Sequence, residues 1–214
     1  TLFSTMIGAI ITGTTLVVTI GQLVLSQENG PLGDQRQRME NAMDFRDYAA
    51  ELVGAPSPAD PSTFIRDLVG VARQRAEAVR DGLSDIESDQ LQWELQEFTD
   101  SLIGNSEEVQ DQLDGAKFGS FDVLFAALNY NYGWKIYQVE RIVHDHQEAL
   151  GEPEATLLTE LKTALSMFGP AREHVKTLYF EWALVSLSQL ILYAAIPALV
   201  VAGVMVTVVE AATL

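Results

Sequence analysis

The sequence predicts an all-α membrane protein in which two membrane-spanning helices flank an acidic domain built as an antiparallel helical bundle. Two uncharged runs, residues 2–25 and 182–209, are each long enough to cross a bilayer. All 13 basic residues lie between these runs, from Arg36 to Lys176. No stretch alternates polar and apolar residues with a period of two, as a half-buried strand would.

The composition separates charge from apolar residues along the chain. The formal net charge is −17, yet 48% of the 214 residues are hydrophobic and the mean hydropathy is +0.11. This combination excludes an ordinary soluble globular protein and an intrinsically disordered chain. Nucleic acid is not an expected partner, because an acidic chain without a basic patch repels phosphates. The absence of cysteine excludes disulfides and thiolate-bound metals.

The acidic surplus indicates the source of the protein. Of the 30 acidic residues, only Glu181 and Glu210 lie outside residues 27–180, and only four of the 13 bases are lysines. Surfaces rich in carboxylates and poor in lysine stay hydrated in concentrated salt, where charges are screened within about 3 Å at 1 M. We expect a halophilic archaeon, and an ordinary acidic bacterial domain is the alternative.

Residues 1–26 form the first predicted span. At 1.5 Å per residue, about 20 residues cross a hydrocarbon core of roughly 30 Å. A signal peptide fits poorly, because no basic region precedes the apolar run and no small-residue cleavage pattern follows it. Since no polar flank precedes the run at Thr1, we expect the natural protein to extend upstream.

Small and polar residues of the first span recur in alternating steps of four and three. This 3.5-residue period places them along one narrow line of a helix, here called the polar seam. The polar seam comprises Thr1, Thr5, Gly8, Thr12, Thr15, Thr19, Gln22 and Ser26. Most residues off the seam are Leu, Ile, Val or Phe, so lipid is not the expected neighbour of the seam itself.

Two interpretations of the polar seam compete. In the more common one, small residues and threonine hydroxyls mark where membrane helices pack closely. In the other, several copies arrange the seam around a water-filled axis, where rings of Thr and Gln replace the hydration of an ion. A pathway for a small molecule or a lipid is a third reading.

Residues 27–180 predict a helical domain. Proline at the first helical position after a capping acid marks one helix start at Asp60-Pro61, and the segment 54–58 is the clearest break. Ser84 and Glu87 have capping-box spacing. The predicted helices are Asp34–Val53, Pro61–Gly82, Asp85–Ile103, Glu107–Asp114, Phe121–Leu150, Pro153–Phe168 and one that begins at Pro170 and continues into the second span.

One apolar face within this domain has two explanations. Helical spacing aligns Phe121, Phe125, Leu128, Tyr132, Val139 and Ile142. The first explanation is that this face belongs to the core of the bundle. The second is a helix lying at the membrane interface, although such helices usually carry more basic residues than this segment supplies.

No metal site is expected. His144 and His146, two residues apart on a helix, point about 200° from each other and cannot easily share an ion. Glu140 and His144 could, but such a pair on an acidic helix is more often a surface hydrogen bond. The acidic run 85–89 lacks the glycine of a calcium loop and is predicted to be a solvated face.

Residues 181–210 form the second predicted span. Tyr179, Phe180 and Trp182 are expected at headgroup level. Pro197 removes a backbone donor in mid-span and predicts a kink. Ala194, Ala198 and Ala202 recur every four residues, the spacing of a close helix-packing face.

The basic residues nearest the spans predict the orientation. Arg36 and Arg38 follow the first span, and Arg172 and Lys176 precede the second. Positive residues favour the cytoplasmic side, so we expect a multi-pass protein of the cell membrane whose middle domain is cytoplasmic.

The segment Phe168–Trp182, together with Leu23–Glu28 after the first span, resembles multi-pass membrane proteins of haloarchaea without known function. The resemblance covers most of the chain. It implies further spans outside residues 1–214, four in all, and it supplies no activity and no site residues.

The function expected from these patterns is an oligomeric channel or pore subunit, with the first span lining the pathway. The alternative is a structural or scaffolding membrane protein whose helical domain binds a cytoplasmic protein. The expected partners are the lipid bilayer and further copies of the chain, with no cofactor. An enzyme is not indicated, because the chain carries no P-loop, GxSxG, HExxH or dinucleotide-binding fingerprint.

Overall fold

The computed structural model describes residues 2–28, 32–117 and 119–210, so Thr1 of the polar seam lies outside the described residues. Within these ranges the chain is helical without any strand, which confirms the all-α class. The elements are α1 (Leu2–Glu28), α2 (Leu32–Val53), α3 (Pro61–Asp81), a 3-10 helix (Gly82–Asp85), α4 (Asp89–Leu113), α5 (Phe121–Asn129), α6 (Tyr132–Asp145), α7 (Glu152–Met205) and a π-helical turn (Val206–Glu210).

The chain divides into two compact units. One, here called the apolar unit, comprises Thr1–Met39 and Phe180–Leu214, and the other, the acidic unit, comprises Glu40–Tyr179. Two helices, one in each apolar run, are long and apolar enough to cross a membrane. Since α2 and α7 each contribute to both units, the boundaries fall inside helices rather than in loops.

The start of α3 follows the predicted chemistry. Asp60 caps the helix by accepting a hydrogen bond from the Thr63 amide at 2.9 Å, and Pro61 is its first residue. The predicted break before it is also present, because α2 ends at Val53 and Gly54 takes the left-handed φ of 75° that glycine tolerates.

The predicted capping box at Ser84 is wrong. Ser84 lies in the 3-10 helix, and Ser88 caps α4 instead by accepting from the Leu91 amide at 3.4 Å. The Gln92 side chain donates to the Leu83 carbonyl at 3.0 Å, which ties the extra turn to α4. Serine stands at both position 84 and position 88, so the sequence alone does not decide which one caps the helix. The hydrogen bond from Gln92 to Leu83 accompanies a helix that begins after Ser88.

The structure lacks one helix break that the sequence predicts and contains one that the sequence does not predict. The two helices predicted over residues 85–114 are the single helix α4, which continues through residues 104–106. The Ser106 hydroxyl bonds back to the Leu102 carbonyl at 2.8 Å, so it satisfies the helix rather than ending it. The helix predicted over residues 121–150 is divided at Tyr130, and Asn131 caps α6 by accepting from the Trp134 amide at 3.3 Å.

The predicted helix start at Pro170 is wrong, because α7 is continuous from Glu152 to Met205. Buried Phe168 and Ala171 anchor the helix on both sides of the proline. Gly169 lets the Tyr132 ring approach so closely that an added Cβ would lie 3.1 Å from it. Packing therefore overrides the proline as a helix breaker. Pro197 also lies inside α7, whose helical conformation continues through it.

The core of the acidic unit is built around α3 and α4. Three ion pairs join α3 to α4 and to its C-cap Asp114: Arg66–Asp114 at 2.7 Å, Arg73–Glu107 at 3.5 Å and Arg80–Asp100 at 3.6 Å. Because the numbers rise by seven on α3 and fall by seven on α4, the two helices run antiparallel. Beneath this ladder lie fully buried side chains, the largest of which are Tyr130, Phe168, Ile65, Leu68, Leu91, Leu95, Leu102, Ile142, Leu158, Leu161, Leu165 and Val69.

Candidate functional site

The polar seam lies on an exposed face of α1. Thr5, Gly8, Thr12, Thr15, Thr19, Gln22 and Ser26 are all exposed. The Ser26 hydroxyl donates to the Leu23 carbonyl at 2.8 Å, so this member is satisfied within its own helix. The structure thus keeps the described seam members together on one side of the helix, as the 3.5-residue period predicts.

A second line of residues on α1 is the one that packs. Within the apolar unit, the less exposed residues of α1 are the buried Gly21 and the half-buried Phe3, Ile7, Ile10, Thr14, Val17 and Val24, here called the packing face, together with the half-buried neighbour Val18. The packing face has the same 3.5-residue period as the polar seam and is displaced from it by two residues. Two residues correspond to about 200° around a helix, so the two lines lie on roughly opposite sides of α1.

Small residues bring α1 and α7 together. A Cβ added to Gly21 would lie 3.3 Å from the Ser188 hydroxyl oxygen, whereas one added to Gly8 or Gly13 would meet nothing within 4 Å. On α7, Ala195 and Ala202 are buried. The close contact therefore uses Gly21 on the packing face and leaves Gly8 of the seam open.

Only part of the predicted alanine face of α7 lies at the contact with α1. Ala202 is buried at 3% exposure, whereas Ala194 and Ala198 are exposed. Ala198, Ala202 and Pro197 line a shallow groove of about 340 Å³ whose other wall includes Phe3 and Ile10 of α1. Ala195, which the four-residue spacing passes over, takes the buried position instead.

Gln22 is the seam member that lies beside α7. Together with Ser188 and Gln189 it lines a groove of about 220 Å³ between the two helices. Gln22 is long enough to border this groove although the seam as a whole lies on the other side of α1.

In the acidic unit, Glu94 of α4 is the centre of a hydrogen-bonded cluster with Arg141 and His146, here called the Glu94 knot. Its carboxylate accepts from the His146 ring at 2.9 Å and from the Arg141 guanidinium, and all three groups are partly buried. Burial raises the pKa of Glu94, but the hydrogen bonds from His146 and Arg141 outweigh it and hold the pKa below the usual range. The knot fastens the end of α6 to α4.

A buried lysine lies at the junction of α4 and α6. The Lys135 ammonium donates to the Asn105 side-chain oxygen at 2.7 Å and stands 4.4 Å from the centre of the Tyr130 ring. Burial lowers the pKa of Lys135 to about 8 and raises that of Tyr130 to about 12. The Tyr130 hydroxyl lies 3.2 Å from the Ser106 hydroxyl, which completes the cluster.

The predicted apolar face of α5 and α6 is only partly in the core. Val139 and Ile142 are buried, as the core explanation requires. Phe121, Phe125 and Leu128 are exposed, so the core explanation is wrong for α5. The buried side of α5 is formed by Val123, Leu124, Ala126 and Ala127 instead.

The histidines and acids considered as metal ligands do not come together, because they have different partners or are exposed. His146 bonds to Glu94, His144 is exposed, and Glu140 pairs with the Lys162 ammonium at 2.7 Å. Within the part of the chain that the structure describes, there is no group of three histidines or acids able to hold an ion.

Sequence reasoning missed the buried lysine and the Glu94 knot. Lys135 stands among aromatic residues and looks like any interfacial cation, because only the tertiary position of Asn105 shows that it is buried. Glu94 is one acid among many, and its partners lie about fifty residues away along the chain. The spacing of seven between Arg66, Arg73 and Arg80 was the one signal that could have revealed the ladder.

Comparison with known proteins gives a family. No curated protein and no solved structure matches the chain. The model of DUF7972, a family of unknown function, matches residues 1–214. The chain therefore belongs to the DUF7972 family.

Proposed function

We propose that this protein is the subunit of an oligomeric membrane channel in which α1 lines the pathway. The observation that carries the proposal is the position of the polar seam. Every described member is exposed, and the seam lies on roughly the opposite side of α1 from the face that packs against α7. Apart from Gln22, which borders the groove beside α7, the seam is therefore available to a neighbour other than α7.

The chemistry of the seam favours water over lipid as that neighbour. Burying the Gln22 amide in hydrocarbon without a partner costs on the order of 2–7 kcal/mol. The lipid-compatible residues of α1, such as Leu16 and Ile20, are exposed at other angles of the helix. Copies that turn their seams toward a common axis would give rings of Thr12, Thr19 and Gln22, which can replace ion hydration.

The setting we propose is the cell membrane, with α1 and the last part of α7 as spans of a multi-pass protein. Only 6% and 11% of the two apolar windows are buried, unlike the core helix of a soluble protein. Because Arg36, Arg38, Arg172 and Lys176 border the spans on the side of the acidic unit, we place that unit in the cytoplasm as a helical bundle. The carboxylate-rich composition supports a haloarchaeal source.

A scaffolding role is the second candidate, and an exposed groove favours it. Trp93 and Trp134 are 65% and 44% exposed and border a groove of about 290 Å³ together with Phe98 and Arg141. Exposed tryptophans are typical of protein-binding surfaces. In this reading the acidic unit holds a cytoplasmic protein, and the polar seam packs against another helix.

Conductance in planar bilayers tests the channel directly. We expect purified wild-type protein to give discrete currents and Gln22→Leu to abolish or strongly alter them, because Gln22 is the largest polar side chain of the seam. Leu23→Ile is the matched control, since it keeps an exposed apolar side chain beside the seam and should leave the currents unchanged. Absence of current from intact wild-type protein would refute the proposal.

The oligomeric state in detergent separates the two candidates. Light scattering with correction for bound detergent should give a defined oligomer for the channel, because one copy contributes only one seam. A monomer would leave no axis for a pathway and would favour the scaffolding role.

A further inference from the structure

An apolar pocket of about 210 Å³ lies in the acidic unit, bordered by α2, α3, α7 and the loop between α2 and α3. All of its lining residues belong to that unit. Because pockets for drug-sized molecules have about 300–1,000 Å³, this one suits a smaller molecule. Its wall includes two phenylalanines, three prolines and a valine, namely Phe45, Phe64, Pro58, Pro61, Pro170 and Val175. The two polar side chains among the lining residues are Arg46 and the exposed His174.

Local hydrogen bonds fix the Arg46 guanidinium at this pocket. It donates to the Ser57 carbonyl at 2.6 Å and to the Pro58 carbonyl at 3.2 Å. The Ser57 hydroxyl donates back to the Arg46 carbonyl at 2.7 Å. A guanidinium has five N–H donors, so these two bonds to neutral oxygens leave three donors and the whole positive charge for another partner.

Arg46 differs from the other arginines of the acidic unit in having no carboxylate partner. Six of the seven arginines there are paired with an acid, namely Arg66, Arg73, Arg75, Arg80, Arg141 and Arg172. Among the described residues, the side-chain bonds of Arg46 are those to Ser57 and Pro58. In a unit with a large surplus of carboxylates, a half-buried cation without one marks a place that an external anion can fill.

The surroundings of this charge select the kind of anion. A carboxylate matches the planar fork of a guanidinium and can accept two parallel hydrogen bonds from it. A phosphate ester would bring a second negative charge to a pocket whose described lining holds one permanent cation, and burying that charge unpaired is costly. The rings of Phe45 and Phe64, which meet edge to face with centroids 6.0 Å apart, offer apolar surface to a hydrocarbon body.

We propose that this pocket, here called the Arg46 pocket, binds a small organic carboxylate with a compact apolar body. The carboxylate accepts hydrogen bonds from the Arg46 guanidinium, and the apolar body lies against Phe45, Phe64 and the prolines of the wall. The site is contained in the acidic unit, so it goes beyond the proposed channel and does not depend on it.

Isothermal titration calorimetry of the full-length protein in detergent tests the site. Benzoate is the probe, benzyl alcohol has the same ring without the charge, and acetate has the charge without the ring. Every titration is made at the same high KCl concentration, so that the overall negative charge of the protein is screened and general anion effects are constant. The heat of each probe with protein-free micelles is subtracted.

Three variants locate the binding. Arg46→Gln removes the cation, and Ala42→Leu, at an exposed lining position of α2, fills apolar space and keeps Arg46. Arg66→Gln is the matched control, since it removes an arginine of the same unit that lies outside the pocket. Circular dichroism verifies that each variant is folded, and Ala42→Leu carries the test if Arg46→Gln is not.

We expect saturable binding of benzoate to the wild type, and binding of benzyl alcohol and acetate that is weaker by at least about tenfold. Arg46→Gln and Ala42→Leu should weaken benzoate binding by a similar factor, whereas Arg66→Gln should leave it unchanged. No saturable binding of benzoate to folded wild type would overturn the proposal. Equal affinities for benzoate and benzyl alcohol would overturn the assignment to a carboxylate, and equal losses in Arg46→Gln and Arg66→Gln would show that benzoate binds elsewhere.

Discussion

At the scale of single residues, Lys135 is the most unusual side chain of the acidic unit. Its ammonium contacts the Asn105 amide oxygen and the Tyr130 ring, both of which are uncharged. A buried ammonium without a carboxylate favours its neutral form, which is why the pKa falls to about 8 from 10.5. Between these two values the unfolded chain binds more protons than the folded one.

This difference predicts a pH dependence with a definite sign. The free energy of unfolding should rise with pH from about 8 to about 10.5, because the cost of burying charged Lys135 is relieved as the folded protein loses the proton. Lys135→Met should reduce this slope. Urea unfolding across the interval measures it, with the exposed Lys117→Met as control. Equal slopes in wild type and Lys135→Met would contradict the assignment.

Glu94 gives a pH dependence of the same sign in the acid range, because its folded pKa is also lowered. Its folded pKa lies below 4.5, so its stabilising contribution is present above the unfolded pKa and is lost as pH falls through the folded pKa. Glu94→Gln should lower the free energy of unfolding by about 1–2 kcal/mol at neutral pH, since it weakens bonds from Arg141 and His146.

The comparison variant is Glu97→Gln, an exposed acid on the same helix. Unfolding at neutral pH and at acid pH separates the two variants: the deficit of Glu94→Gln should shrink in acid, and Glu97→Gln should show little at either pH. A deficit that is the same at both pH values would mean that the carboxylate charge is not its source.

At the scale of elements, the two faces of α1 decide the interpretation. The seam was predictable because hydroxyls and glycine, rather than large apolar residues, repeat along one line of the helix. Its position relative to α7 was not predictable, because the packing face repeats with the same period and includes Thr14 and Gly21 among its apolar members. Only the contact of Gly21 with Ser188 shows which face α7 uses.

Substitution of two glycines of α1, the buried Gly21 and the open Gly13, tests that contact. Gly21→Ile should separate α1 from α7 and lower the melting temperature in detergent, because an added Cβ already meets Ser188 at 3.3 Å. Gly13→Ile is the matched control, since its Cβ would meet nothing within 4 Å, and it should have little effect. Equal losses for both variants would indicate that α1 and α7 do not pack through Gly21.

The helices of the acidic unit show where local signals suffice and where they do not. Asp60 and Pro61 act within one turn, and their prediction holds. Pro170 also carries a local helix-breaking signal, yet Phe168 and Ala171 are buried on both sides of it and α7 continues. Helix boundaries thus depend on packing against distant residues wherever a local helix-breaking residue lies between side chains that are buried in the core. The exposure of Phe125 is a further case, because spacing alone does not tell a core face from an exposed one.

At the scale of the whole molecule, segregation of charge is the dominant property. The net charge of −17 belongs almost wholly to residues 27–180, and the apolar surface belongs to α1 and to α7 beyond Trp182. Repulsion among the carboxylates opposes the compact state at low ionic strength and is screened as salt rises.

The melting temperature should therefore increase between about 0.1 M and 2 M KCl. Thermal unfolding in detergent, followed by circular dichroism, measures the change. Sodium and potassium chloride should act alike if screening is the cause. Maximum stability at low salt would contradict both the screening argument and the proposed haloarchaeal setting.

The central claim concerns what the polar seam faces, and cysteine accessibility in the membrane measures it most directly. Single cysteines at 12, 15, 19 and 22 sample the seam, those at 16 and 20 the exposed apolar side of α1, and those at 14 and 17 the packing face. In proteoliposomes, a membrane-impermeant thiol reagent should label the four seam positions and spare the other four. Uniform protection of all eight positions would show that the seam packs against protein and would contradict the channel.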